Sequence, residues 1–161
     1  MYSKLFYIVL FLSLGYGSTW VGQKSASPKS VKPTVLSSNI EQTELYFEFT
    51  GYYSNEVTTP NGIQSIINLE GGSSIMELGA PDLDKYTSSI IIPDDGITSI
   101  EVISSSYHDF YDVTIAPSKG NLSRMIDPDD LTYEYGEVYQ SDNFYPGMIA
   151  ELQDPYIMRD V

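Results

Sequence analysis

The sequence predicts an all-β domain, an antiparallel β-sandwich or open barrel that is incomplete at its C-terminal end. Three observations predict it. The chain is rich in Val, Ile and Thr and holds 14 Tyr, the residue types that fit a pleated, half-buried strand. Twelve Gly and nine Pro divide it into short stretches. Within several of those stretches apolar and polar residues alternate, which places alternate side chains on opposite faces of a strand. At 161 residues with 42% hydrophobic content, one domain of ordinary size is expected, able to hide roughly two-thirds of its unfolded surface.

The first element is not part of that domain. Met1 to Lys4 carries one positive charge, and the apolar run Leu5 to Leu14 is followed by the small residues Gly15, Gly17 and Ser18. This is the pattern of a secretory signal peptide over 1–18. The run falls short of the roughly 20 apolar residues a membrane span needs, so no membrane association is expected once the signal is removed. Residues 19–35, with Lys24, Lys29 and Lys32 as their only charges, read as a flexible leader. The domain proper is expected over 36–161.

Its first strand is Leu45 to Phe49, where Leu45, Phe47 and Phe49 share one face. Glu56 to Thr59, the turn Pro60-Asn61-Gly62 and the apolar run Ile63 to Leu69 read as a hairpin closed by Gly71 and Gly72. Leu78 to Leu83 contains Gly79 and Pro81 and is expected to be a shaped connection, because proline lacks an amide donor. A second hairpin is expected from Tyr86–Ile92 and Ile97–Ser104 across Asp94-Asp95-Gly96. Tyr107 to Ile115 continues as a strand, Thr132 to Tyr139 alternates with Tyr133, Tyr135 and Tyr139 available for packing, and Pro155 to Arg159 gives a last strand signal. The chain stops at Val161 directly after that signal, leaving an edge that a continuation or a partner would cover, so a fragment is expected.

Charge sets the functional question. All 22 acidic residues lie beyond Pro33, accompanied by only four basic ones, Lys85, Lys119, Arg124 and Arg159. Nucleic acid is excluded as a partner, because each phosphate contact wants a Lys or Arg. Yet Lys119 and Arg124 share the loop Ala116-Pro117-Ser118-Lys119-Gly120-Asn121-Leu122-Ser123-Arg124, whose Pro, Gly, Ser and Asn are turn formers. Both cations are expected to be displayed there.

Catalysis finds little support. The chain has no Cys and one histidine, His108, so it holds no Cys-His pair, no disulfide and no cysteine-linked lipid anchor. His108 lies in an alternating stretch without a nucleophile-elbow pattern and reads as a surface residue. Asp94-Asp95 and Asp127-Pro128-Asp129-Asp130 could offer oxygen ligands to calcium, but they lack EF-hand spacing and read as turn or cap residues. Neither a metal nor a cofactor is expected.

The series Val113 to Arg124, then Asp127-Pro128, Tyr133-Glu134-Tyr135-Gly136, Tyr139, Phe144-Tyr145-Pro146-Gly147 and Pro155 to Asp160, resembles the propeptide of gingipain-type cysteine endopeptidases. Glu77 to Leu83 is similar to that family's Gly-x-Pro-x-Leu connection. The resemblance covers roughly Leu36 to Val161. It implies an all-β prodomain lying between a signal peptide and a peptidase domain, which keeps the zymogen inactive and assists its folding until proteolysis removes it. It also implies export to the surface or medium of a bacterium, with the cognate peptidase domain as partner. The family's prodomain runs on past the Arg-Asp segment, and this chain does not.

A peptidase that cleaves after a basic residue has an acidic specificity pocket, and an arginine gives a bidentate match to a carboxylate that lysine does not reproduce. Pro117, Ser118, Lys119, Gly120 and Arg124 are therefore the expected inhibitory loop, with Arg124 as the pocket residue and Lys119 as runner-up. The competing reading is a secreted β-sandwich adhesion or carbohydrate-binding module, for which tyrosines and acidic turns would form a sugar or calcium face. A stand-alone inhibitor without its enzyme is a third.

Overall fold

The computed structural model of the protein describes residues 17–93 and 97–156. The apolar run of the signal segment, the Asp94-Asp95-Gly96 turn and the end of the last strand signal, with Arg159, lie outside the described residues. What is described is all-β with antiparallel ladders, as the sequence predicts.

Three strands form the main sheet. β1 (Thr19–Gly22), β4 (Gly51–Thr59) and β5 (Gly62–Asn68) lie in the order β1-β4-β5. The β4-β5 hairpin is the one read from Pro60-Asn61-Gly62: Thr59 faces Gly62 in the register, and Gly62 takes a φ of 103°, which a side-chain-bearing residue adopts rarely. Thr59 Oγ1 secures the turn by donating to the Gly62 carbonyl at 2.9 Å and accepting from the Asn61 amide. β2 (Thr34–Ser38) pairs with β3 (Thr43–Tyr46), and β6 (Ser73–Ser74) pairs with β7 (Asp84–Lys85).

The leader is a correction. Residues 19–35 do not run free: β1 pairs with β4 residue by residue from Thr19–Ser54 to Gly22–Gly51, and Val31 is buried. Trp20 explains why. Its ring meets Tyr53 edge-on at 5.2 Å, and its indole N–H donates to the Ser25 carbonyl at 3.0 Å, so a large apolar side chain is covered and its polar tip satisfied. Lys24 adds an exposed ion pair to Glu48 at 2.9 Å.

The strands expected beyond residue 85 are also corrected. Tyr86–Ile92 and Ile97–Ser104 form no ladder among the described residues, and Ile91, Ile97, Ile103, Tyr107 and Tyr111 stand exposed. Alternation describes a side-chain pattern, while a strand exists only when a neighbour accepts its backbone bonds. Tyr107–Ile115 joins the main sheet only at its end, where the Ser65 amide donates to the Thr114 carbonyl, while Phe110 meets Tyr52 edge-on at 5.0 Å. Leu45–Phe49 is a strand only to Tyr46, with Phe47 turning to meet Tyr86 at 5.8 Å. Thr132–Tyr139 is not a strand but an irregular run that tightens into a 3-10 turn at Glu137–Gln140. Pro155 and Tyr156 carry no ladder either.

Candidate functional site

The loop that holds two of the rare cations rises from the most buried point of the described chain. Ala116 and Pro117 are fully enclosed, Ser118 is 5% exposed, and Ala80 opposite them is equally hidden. Backbone hydrogen bonds hold this root on both sides. The Ala116 amide donates to the Ser65 carbonyl of β5 at 2.9 Å, which ties the root to the main sheet. On the other side the Asp82 amide donates to Ala116, the Ser118 amide to Ala80 and the Gly79 amide to Ser118, at 2.8, 2.7 and 3.0 Å. The connection over 78–83 is thus the strap that fastens the loop, and Pro81, facing Pro117, needs no donor there.

Tyrosines brace the same root. The Tyr139 hydroxyl donates to the Ile115 carbonyl at 3.0 Å, and burial pushes the Tyr139 phenol up to about 12. Tyr139 meets Tyr135 edge-on at 5.0 Å, and the Tyr135 hydroxyl reaches both Thr59 and Gln64 of the hairpin. Tyr145 donates to Glu77 at 3.0 Å, and burial first, then that bond, raises its phenol to about 12. The packing role expected of Tyr133, Tyr135 and Tyr139 is realised, although none of them is in a strand.

From this root the chain turns outward. Ser118 Oγ accepts from the Gly120 amide at 3.1 Å, and Gly120 takes a φ of 78° with Leu78 3.2 Å from where a Cβ would stand. Glycine is required at that position twice over. Beyond it the Ile126 amide donates to the Ser123 carbonyl at 3.0 Å, which makes Arg124 and Met125 the two central residues of a tight turn. Both are exposed, Met125 almost completely. The descending limb ends at Asp127, whose carboxylate accepts from the Asp129 amide at 3.0 Å and caps the 3-10 turn Pro128–Asp130. Asp127 is thus the cap and Asp129 and Asp130 are exposed residues of the turn it caps, and no group of three or more His, Asp or Glu converges among the described residues.

The five residues singled out in the sequence therefore separate by role. Pro117 and Ser118 are buried framework, Gly120 is the hinge of the turn, and Arg124 is displayed at the tip. Lys119 departs from expectation: it is half-buried, its ammonium donates to the Pro128 carbonyl at 2.7 Å, and it lies 4.3 Å over the Tyr133 ring. Among the described residues the one ion pair is Lys24 with Glu48, so Arg124 has no carboxylate partner there. Sequence reasoning missed Tyr133 as the partner of Lys119, since nothing in a separation of 14 residues signals contact. It also missed Asp82, a half-buried carboxyl that burial and the neighbouring Asp84 push above the usual range.

Comparison with known proteins finds a family and several relatives. The family model Propeptide_C25 matches residues 23–161. Gingipain R2 of Porphyromonas gingivalis is 34% identical over 160 residues, which is 99% of this chain and 22% of that protein. Gingipain R1 of the same organism is 33% identical over 159 residues, 99% of this chain and 16% of its own length. The chain thus spans about a fifth of the curated relatives it matches. A solved complex of the Porphyromonas gingivalis RgpB pro- and mature domains is similar in structure, with a TM-score of 0.75 at 35% identity over 80% of this chain and 67% of that one. A family model that matches from Gln23 to the last residue, with a solved prodomain similar over 80% of the chain, leads to one assignment: the chain belongs to the Propeptide_C25 family.

Proposed function

We propose that this chain is the non-catalytic propeptide of a secreted, gingipain-type cysteine endopeptidase, and that it binds the mature domain, holds it inactive and assists its folding. The observation that carries the reading is Arg124 at the exposed tip of a hydrogen-bonded turn, on a root welded into the sheet, in a relative of a prodomain solved together with its mature domain. That kinship also favours the propeptide over the adhesion or carbohydrate-binding alternative.

The guanidinium of Arg124 enters the acidic pocket that a peptidase cleaving after arginine must possess, where its planar fork pairs with a carboxylate. The Ile126-to-Ser123 hydrogen bond keeps the Arg124–Met125 peptide folded back, and not in the extended form a scissile peptide needs. The loop is thereby read as a ligand and resists being a substrate. Tethering supports inhibition without extreme affinity: at an effective concentration of about 1 mM, a roughly 1 μM intrinsic affinity leaves only about 0.1% of the enzyme open. Export follows from the signal pattern over 1–18 and implies release to the medium or cell surface.

The test is to add the chain to a mature gingipain domain that cleaves after arginine. Stoichiometric complex formation with loss of peptidase activity is expected. A chain that neither binds nor inhibits any such domain, while binding glycans, would return the adhesion reading.

A further inference from the structure

Lys119 sits five residues before Arg124, and charge alone makes it a rival for the same pocket. Its surroundings are those of a fastened residue. The ammonium donates to the Pro128 carbonyl at 2.7 Å and lies 4.3 Å over the Tyr133 ring. Residues 119 and 128 are the two feet of the projecting segment, so this hydrogen bond joins its ascending and descending limbs. Between them the projecting residues make only local bonds: Gly120 to Ser118, Met125 to Ser123 Oγ, Ile126 to Ser123 and the Asp127 cap.

We propose that Lys119 is a positioning residue: with Tyr133 it clamps the base of the loop and presets the turn that carries Arg124, and it does not itself enter the peptidase pocket. The proposal rests on the reading of Arg124 as the pocket residue and assigns its neighbour a different task. The physical argument is preorganisation. An eight-residue projection held at both feet has fewer conformations to lose on binding, and the saving appears as affinity without a new contact. An ammonium with one donor on a carbonyl and its charge over an aromatic face also has little reason to leave. Entering the pocket would mean abandoning both, whereas Arg124 gives up nothing among the described residues.

The experiment is a double-mutant cycle on the full chain, with inhibition of a mature gingipain domain that cleaves after arginine as one readout. Amide hydrogen exchange of residues 123–127 in the free chain is the other. Lys119→Met keeps the aliphatic stem and removes the ammonium. It is expected to weaken inhibition on the order of three- to tenfold, the scale of one partly exposed cation–π and carbonyl contact, and to speed exchange at Met125 and Ile126. In the Arg124→Ala background the same change is expected to cost nothing more, because the clamp acts through Arg124. Tyr133→Leu should reproduce the effect, and Lys119→Arg, which keeps a cation and a donor, should recover most of it. A full additional loss from Lys119→Met in the Arg124→Ala background would overturn the proposal, as would unchanged exchange at Met125 and Ile126. Should Arg124→Ala inhibit as well as wild type, the pocket reading fails, and the exchange measurement still decides the clamp.

Discussion

Gly79 and Gly136 touch backbone to backbone: the Gly136 amide donates to the Gly79 carbonyl at 2.8 Å, while the Gly79 amide donates to Ser118 in the root of the loop. Neither tolerates a side chain. A Cβ on Gly136 would stand 2.9 Å from the Gly79 oxygen, and Gly79 has a φ of 77° with Gly136 3.1 Å from its would-be Cβ. Gly136→Ala is expected to destabilise the chain by about 1–3 kcal/mol, the usual cost of overpacking. Gly79→Ala should lose about 1–2 kcal/mol to left-handed backbone strain alone. Urea unfolding of both variants checks this, and a midpoint unmoved by either would mean that the strap does not carry the fold.

A second prediction concerns the hydroxyl of Tyr135. It lies against Gln64, which is 6% exposed, and reaches Thr59 at 2.9 Å across 76 residues of chain. Tyr135→Phe keeps the ring against Tyr139 and leaves the buried Gln64 oxygen without this donor. The expected loss is about 1–3 kcal/mol. Equal melting temperatures for variant and wild type would assign the bond no net value.

Asp82 gives a prediction with a definite sign. Burial, then the charge of Asp84, raises its carboxyl above the ordinary value, so the folded state holds this proton more tightly than the unfolded chain does. Its ionisation therefore weakens the fold as pH rises through the raised value. Asp82→Asn is expected to melt higher than wild type at pH 7, and the difference should vanish as pH falls below about 3.9, where the unfolded carboxyl is protonated too. The phenols of Tyr139 and Tyr145, both raised to about 12, act at the other end. Their stabilisation is present below about pH 10 and is lost as pH rises from there toward 12. Thermal melts across these two windows test both statements.

The sequence was most legible where a local rule decides the structure. Pro60-Asn61-Gly62 specified a turn, and the β4-β5 hairpin follows it; Gly79 and Pro81 excluded a helix interior, and the strap follows them. It was least legible where structure depends on a distant partner. Ile97 to Ser104 alternates as a strand should, yet no ladder forms there among the described residues. Thr19 to Gly22 looks like a spacer until Tyr53 provides a face for Trp20. The loop shows both sides of this. Turn-forming residues announced a projection and set Arg124 on it, but only the fold reveals that Pro117 and Ser118 are buried and that Lys119 is held by Pro128 and Tyr133.

The central claim is that Arg124 is the group the peptidase reads. It is tested most directly by the inhibition constant of the chain carrying Arg124→Ala, against a mature gingipain domain that cleaves after arginine. Removing one partner of a desolvated charge pair typically costs 2–5 kcal/mol, so inhibition is predicted to weaken on the order of 30-fold or more. An inhibition constant equal to that of the unaltered chain would contradict the account.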